Sequence, residues 1–106
     1  MRASPVAGQT RIVKASHAGD CQQLEQLPNI GPAIAADLRR IGVRHPAELA
    51  ARDALDLYLA LQQATGRRQD PCVLDTFMAA TDFMRGAPRR PWWAYTAERK
   101  ARFGVV

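Results

Sequence analysis

The sequence predicts an all-α protein, and three observations support this. Apolar residues recur at helical spacing in several stretches, no stretch alternates with the period of two that a half-buried strand requires, and capping residues, prolines and glycines bound the stretches. The 106 residues suffice for one small domain with a modest core. We therefore expect a compact five-helix domain over residues 17–88, preceded by a flexible arm (1–16) and followed by a basic, Trp-containing tail (89–106) that packs on it.

The first predicted helix is short and begins at Asp20. The carboxylate of Asp20 can accept hydrogen bonds from amides of the first turn, and Gln23 follows three residues later, as in a capping box. Leu24 and Leu27 supply the apolar stripe. Pro28 ends the helix because proline has no N–H for a helical hydrogen bond.

The second predicted helix, residues 32–41, follows a tight connector with the sequence Leu-Pro-Asn-Ile-Gly-Pro. Proline is tolerated in a first helical turn, and Gly42 is a suitable C-terminal cap. Three further helices are predicted, each with a capping residue or proline at its start: about 45–50, 53–65 and 71–85. The helix over 53–65 is apolar on most sides, so we expect it to be the central buried helix. Residues 95–102 are a candidate for one more helix in the tail.

Charge is the unusual property of the composition. Fifteen Arg and Lys against ten Asp and Glu leave a net charge of +5, and thirteen of the fifteen are Arg, which binds phosphate or carboxylate in two-pronged fashion. The net charge is +2 over residues 1–20, −1 over 21–66 and +4 over 67–106. Basic flanks favour an anionic partner such as nucleic acid. The alternative is that the arginines only keep the protein soluble.

Several function classes are not indicated. No apolar run approaches the roughly 18 residues of a membrane span, and the N-terminal stretch lacks the apolar core of a secretory signal, so we expect a cytoplasmic protein with no membrane partner. The cysteines and histidines lack the paired spacing of a zinc site. No glycine-rich phosphate loop or nucleophilic serine is found. We expect no catalytic residues, no metal, no cofactor and no enzymatic activity.

The connector and its flanks combine small and apolar residues at fixed positions: Leu24, Leu27, Ile30, Gly31, Ala35, Leu38 and Gly42. Ile30 is expected to turn inward, and Ala35 to let the two helices cross closely. Gly31 is expected to adopt a backbone conformation that other residues resist, and to leave room for a partner. This pattern resembles the helix-hairpin-helix motif.

A longer series of short patterns runs through residues 22–95. In order, these are L-P-N-I-G, A-x-D-L-R-R-I-G-V, L-Y, T-G-x-x-x-D-P-C-V and W-W. The series is similar to the bacterial pathogenicity locus family, whose members are often labelled mitomycin-resistance proteins. The resemblance implies a helical domain built on a helix-hairpin-helix that binds DNA, with a link to DNA damage or drug resistance.

The hairpin predicts DNA binding without sequence specificity. Amides left free by the turn and by the start of the second helix point outward at the positive end of the helix dipole, where they can hold phosphate oxygens. The predicted amide contacts are Asn29, Ile30, Gly31, Ala33 and Ile34. Arg39, Arg40 and Arg44 would add charge nearby, and Arg67 and Arg68 would do so from a second turn. Pro32, which lacks an N–H, and the acidic Asp37 weaken the site.

Three alternatives stay open. The hairpin can be purely structural, in a protein–protein interaction module whose Trp-rich tail docks a protein or a second copy in a monomer or weak dimer. The pair of helices around Gly66 can be a degenerate second helix-turn-helix, or only a loop with two solvated arginines. Trp92 and Trp93 can form a stacking platform for bases, or at least one of them can fold back onto the core.

Overall fold

Four α-helices and four short 3₁₀ helices make up the computed structural model, which describes residues 13–104. The α-helices are α1 (Pro32–Arg40), α2 (Ala54–Thr65), α3 (Pro71–Met84) and α4 (Thr96–Phe103). The 3₁₀ helices are Ala18–Asp20, Leu24–Gln26, Pro46–Ala51 and Trp92–Tyr95. Residues 13–104 contain no strand, so the all-α prediction is confirmed. The five predicted helices form, the first and third of them as 3₁₀ helices, and α4 corresponds to the candidate helix in the tail.

The 3₁₀ helix Leu24–Gln26 is capped differently from the prediction. Asp20 is the last residue of the preceding 3₁₀ helix, Ala18–Asp20, and does not cap Leu24–Gln26. The capping box lies three residues later, where the side chain of Gln26 accepts hydrogen bonds from the amides of Gln22 at 2.8 Å and Gln23 at 2.9 Å. Only three residues are helical here, a length at which the tighter 3₁₀ geometry is common.

The centre of the fold is α3, which corrects the prediction that α2 would be the buried helix. Residues 74–81 of α3 are all buried, whereas Leu59 of α2 is 49% exposed. The polar residues of α3 concealed this from the pattern, but their side chains are satisfied internally. Thr76 and Thr81 donate to backbone carbonyls within α3 at 2.9 and 3.2 Å.

The buried carboxylate of α3 secures the C-terminal helix. Asp75, which is completely buried, accepts from Arg99 Nε at 2.6 Å and from Thr96 Oγ1 at 2.8 Å, and both partners lie on α4. Tyr95, just before α4, is 2% exposed. Residues 92–103 therefore pack against the core.

None of the helices in residues 13–104 is long and apolar enough to cross a membrane.

The predicted flexible arm lies mostly outside the described residues, which begin at Val13. The last part of the arm is packed against the 3₁₀ helix Leu24–Gln26. Ala15 is 5% exposed, and its amide donates to the carbonyl of Gln26 at 2.9 Å. The folded structure therefore includes residues that the sequence assigned to the arm.

Candidate nucleic-acid interface

The first turn, residues 27–32, joins the 3₁₀ helix Leu24–Gln26 to α1. Ile30 is completely buried, as the sequence predicts, and its amide donates to the carbonyl of Leu27 at 3.2 Å. Asn29 has a φ of +69°, which is the left-handed conformation that asparagine tolerates better than most residues. Ile30 therefore acts through packing, and its amide, one of the predicted phosphate contacts, is already used within the turn.

Gly31 departs from the prediction. Its φ of −94° and ψ of −175° describe extended backbone that any residue adopts, so the expectation of a special conformation at this position is wrong. A Cβ added to Gly31 would have no heavy atom within 4 Å. The glycine therefore leaves an open surface in front of α1 that the fold itself does not require.

The start of α1 presents free amides. Those of Gly31, Ala33 and Ile34 have no hydrogen-bond acceptor within residues 13–104, and Ala35 is the first residue of α1 whose amide is bonded, to Gly31 O at 2.9 Å. Gly31 and Ala33 are exposed, and Ile34 is partly buried. No side chain caps α1. The uncapped amides and the helix dipole make this end of α1 positive.

The second turn, residues 66–71, has no such opening. Gly66 has a φ of +72°, and the carboxylate of Asp70 accepts from the amide of Cys72 at 2.9 Å, capping α3. That hydrogen bond is the main reason why the pKa of Asp70 lies below its ordinary value. Gln69 is held through its amide by Gln62 Oε1 at 3.0 Å and through its carbonyl by the hydroxyl of Tyr58 at 2.6 Å. The anion position at the start of α3 is thus already occupied by a carboxylate.

Lys14 stabilises the first turn through hydrogen bonds to its backbone. Its ammonium donates to three backbone carbonyls, those of Glu25 at 2.8 Å, Leu27 at 2.9 Å and Ile30 at 2.6 Å. Burial lowers the pKa of Lys14, while Cys21 and Glu25 act in the opposite direction. The sequence gives no signal for this role, because the partners lie 11 to 16 residues away and Lys14 stands in a segment without periodicity.

The predicted arginines fall into distinct environments. Arg39 makes a two-pronged ion pair with Glu25 at 2.8 and 2.9 Å, and its hydrogen bond is the main reason why the pKa of Glu25 is lowered. This pairing offsets the charge of Arg39 and removes it from the set of free cations. Arg40 and Arg67 line a groove of about 320 Å³ that also contains Asp37.

The two other predicted arginines differ from each other. Arg44 is exposed. Arg68 lies beside Tyr58, and its positive charge and hydrogen bond partly oppose the rise that burial causes in the pKa of that phenol. Arg68 is therefore engaged within the fold, on the side of the second turn.

Two further arginines lie beside the first turn, where the sequence did not place them. The side-chain amide of Asn29 donates to the carbonyl of Arg90 at 2.7 Å. Arg89 and Arg90 line a groove of about 300 Å³ together with Lys14 and Asn29. Both arginines are exposed, and neither has an acidic partner within residues 13–104.

The two segments that meet at this hydrogen bond contain no acidic residue over long stretches. There is no Asp or Glu between positions 26 and 36 on the hairpin side, or between positions 83 and 97 on the other. The surface around the free amides is therefore positive. Sequence inspection could have shown that each segment lacks acids, but not that the two segments are adjacent.

Trp92 and Trp93 follow Arg90 in the segment beside the first turn. Trp92 is partly buried and Trp93 is 63% exposed, and their rings meet edge to face at 5.6 Å between centroids.

Cys21 is buried and Cys72 partly buried, and burial raises the pKa of both thiols. Cys72 is therefore not the activated thiol that a helix start can produce. Residues 13–104 hold no group of three or more His, Cys, Asp or Glu side chains suited to a metal ion.

These features define a small helical protein in which the start of α1 has no side-chain cap and lies beside exposed arginines. A family model described as the pathogenicity locus, Cdd1, matches residues 17–101, and the chain belongs to this family. Over 81 residues the chain is 47% identical to a protein of Streptomyces lavendulae named mitomycin resistance protein McrB, an alignment that covers 76% of this chain and 77% of that protein. No solved structure matches.

Proposed function

We propose that this protein binds DNA through the phosphate backbone, without reading base sequence, by means of a helix-hairpin-helix formed by the Leu24–Gln26 turn and α1. The observation that carries the proposal is that the amides of Gly31, Ala33 and Ile34 have no acceptor within residues 13–104. The space beside Gly31 is also empty, since an added Cβ would have no heavy atom within 4 Å. Three amides at a helix start match the acceptor geometry and the charge of a phosphate group.

The neighbouring charges favour the same partner. Arg89 and Arg90 add two guanidinium groups to the side of the turn, and Arg44 is exposed in the segment that follows α1. Arg40 and Arg67 share their groove with Asp37, so we expect them to contribute less. Contacts of these kinds position a protein on DNA and distinguish no bases. A binding role without catalysis or cofactor accounts for all these residues.

The binding should be weak and strongly dependent on salt. Each phosphate neutralised on duplex DNA contributes a slope of about −0.9 to the plot of log K against log salt concentration. With two to four phosphates contacted, we expect a slope of roughly −2 to −4 and a dissociation constant in the micromolar range or weaker at physiological salt. By analogy with the relative's name, we propose drug resistance connected with DNA damage as the biological context.

A protein–protein interaction module is the second candidate, and the exposure of Trp93 is the observation that favours it. In that case the hairpin is only structural, and the exposed ring docks another protein or a second copy. The two candidates differ at Gly31, because only DNA binding needs the space in front of α1.

The test places a carboxylate at Gly31, the residue before α1, where the helix has no side-chain cap. We expect Gly31→Asp to raise the dissociation constant for a labelled duplex at least about tenfold, since the new carboxylate would cap α1 and repel phosphate. The fold should be retained or gain a few tenths of a kcal/mol, because aspartate is the better N-cap. Fluorescence anisotropy at several salt concentrations measures binding, and urea unfolding followed by circular dichroism measures stability.

The matched control is Ala51→Asp, which makes the same change in net charge at an exposed residue of the 3₁₀ helix Pro46–Ala51. Its dissociation constant should stay within about twofold of that of the wild type, since one charge away from the contact changes the potential only slightly. Equal effects of the two substitutions, or binding that ignores salt, would reject the hairpin as a phosphate site and leave the interaction module as the better candidate.

A further inference from the structure

Trp93 is an exposed aromatic side chain on a firmly held segment. The carbonyl of Arg90 accepts from Asn29, the amide of Ala94 donates to the carbonyl of Pro91 at 3.0 Å, and Tyr95 is buried in the core. The partly buried ring of Trp92 packs edge to face against Trp93, with 85° between the ring planes. The 63% exposure of Trp93 therefore belongs to a supported side chain in an ordered part of the fold.

The surroundings of Trp93 select the chemistry of what it could contact. Arg89 and Arg90, both exposed, stand four and three residues before Trp93, and no acidic residue occurs between positions 83 and 97. Arg85 lies in the same segment, but its side chain donates to the carbonyls of Ala50 and Arg52. Positive charge beside an aromatic face is the arrangement that binds single-stranded nucleic acid, where backbone phosphates follow the charges and bases stack on the rings. Stacking tolerates any base, as expected for a protein that reads no sequence.

The position of Trp93 relative to the hairpin sets the length of strand involved. The carbonyl of Arg90 accepts from Asn29 in the first turn, and only Pro91 and Trp92 stand between Arg90 and Trp93, so that at most about 11 Å of backbone separates the two residues. At about 3.4 Å per nucleotide, the spacing along one strand of a DNA duplex, that length of backbone corresponds to about three nucleotides at most. A strand whose phosphate lies on the hairpin amides can therefore bring a nearby base to Trp93.

Bases in an intact duplex are stacked on their neighbours and show only their edges. We propose, on the basis of the proposed function, that the DNA recognised by this protein has unpaired bases next to the hairpin contact, as at a gap, a frayed end or a junction of single-stranded and double-stranded DNA, and that Trp93 stacks on one of these bases. The hairpin supplies the phosphate contact common to all DNA, and Trp93 supplies the preference for the unpaired form.

The experiment compares three labelled DNAs of equal length: a duplex, the same duplex with a three-nucleotide gap, and a single strand. Wild type should bind the gapped and single-stranded DNA more tightly than the duplex, with quenching of tryptophan fluorescence. Trp93→Ala should lose roughly tenfold in affinity for the two DNAs with unpaired bases, since stacking on one aromatic ring is worth about that much. Its affinity for the duplex should stay within about twofold.

Leu59→Ala is the matched control, because Leu59 is the other large exposed apolar side chain among the helices, on α2. It should change none of the three affinities. Trp93→Phe should recover part of the loss, since phenylalanine keeps an aromatic face.

The outcomes separate this inference from the proposed function. Equal losses on all three DNAs, or no preference of the wild type for unpaired bases, overturn the stacking role while duplex binding through the hairpin stands. Absence of binding to any DNA overturns both. Self-association of the wild type that Trp93→Ala abolishes would assign the ring to a protein contact and overturn the stacking role.

Discussion

The two turns of the molecule, residues 27–32 and 66–71, share much of their design. Each follows a helical segment, contains one residue in the left-handed conformation (Asn29 or Gly66) and leads into a helix whose first residue is proline. They differ at the residue before that proline. Asp70 caps α3 with its carboxylate, whereas Gly31 leaves α1 without a side-chain cap.

This difference separates a turn that is complete from one that is open. A carboxylate cap typically stabilises a helix by about 1 kcal/mol relative to alanine, and only by a few tenths relative to glycine, whose backbone lets water reach the amides. Glycine at the first turn therefore costs the fold little, and it leaves open the amides that we propose as the phosphate contact.

The two turns also differ in the charges beside them. Near the second turn, the buried Asp75 pairs with Arg99. Beside the first turn, Arg89 and Arg90 have no acidic partner in the described part of the chain. Charges that satisfy one another contribute to stability, and charges left unpaired at the surface are free for a ligand.

The largest effect expected from this comparison is on stability, at Asp75. We expect Asp75→Asn to lower the free energy of unfolding by about 3–5 kcal/mol, because Arg99, whose side chain is 11% exposed, would keep its charge in a site without a counter-ion. Urea unfolding measures the loss, and anisotropy should find duplex affinity per folded molecule within about twofold of wild type, since neither residue belongs to the proposed phosphate contact.

Glu98→Gln is the control for Asp75→Asn. Glu98 pairs with Arg102 at 3.1 Å, but both side chains are about half exposed. Breaking this surface pair should change the free energy of unfolding by less than about 0.5 kcal/mol. Similar small losses for both variants would contradict the view that a buried pair secures α4.

A smaller loss is expected at Lys14, below the first turn. Lys14→Met keeps an unbranched side chain of similar length but removes the ammonium from the carbonyls of Glu25, Leu27 and Ile30. Because charge-assisted hydrogen bonds contribute about 1.5–3 kcal/mol and this ammonium is only partly buried, we expect a loss of about 2 kcal/mol in the free energy of unfolding.

The same variant tests whether the first turn is preorganised for binding. A first turn held by fewer hydrogen bonds should bind duplex DNA several-fold more weakly, with an unchanged salt slope, because Lys14 is not among the proposed phosphate contacts. A salt slope reduced by about one unit would instead make Lys14 a direct contact. Unchanged stability would contradict the structural role.

The local features of the first turn could be predicted from the sequence, and the distant ones could not. Burial of Ile30 and the left-handed backbone of Asn29 follow from residue type and spacing, which act over a few residues. The contacts of Lys14 and of Arg90 join segments 11 to 61 residues apart, and no periodicity encodes them. At Gly31 one half of the prediction agrees with the structure and the other is wrong: the surface in front of this residue is open, as expected, but its backbone is ordinary extended chain.

The buried helix is instructive for a related reason. The continuous apolar run of α2 predicts a central position, yet α3, with Asp75 and two threonines, occupies it. A hydropathy pattern treats polar residues as exposed, and it cannot show that the two threonines bond to carbonyls of α3 and that Asp75 bonds to α4. The partners of Asp75, Thr96 and Arg99, lie 21 and 24 residues further along the chain.

The smallest expected effect concerns pH, and it bears on both turns together. The pKa of Glu25 is lowered chiefly by the hydrogen bond from Arg39, and the pKa of Asp70 chiefly by the hydrogen bond from the Cys72 amide. A carboxyl whose pKa is lower in the folded state stabilises the fold above its ordinary pKa, and this stability is lost as the pH falls through the folded value. The melting temperature should therefore decrease as the pH falls below about 4.

Glu25→Gln and Asp70→Asn separate the two contributions. Each should show a shallower decrease in melting temperature than the wild type between about pH 5 and pH 3, because asparagine and glutamine do not titrate. Asparagine can still cap α3, so the Asp70 variant should fold normally at neutral pH. If both variants keep the full pH dependence of the wild type, protonation of Glu25 and Asp70 is not the cause of the loss of stability in acid. In that case the Glu25–Arg39 ion pair and the Asp70 cap of α3 contribute nothing measurable to stability.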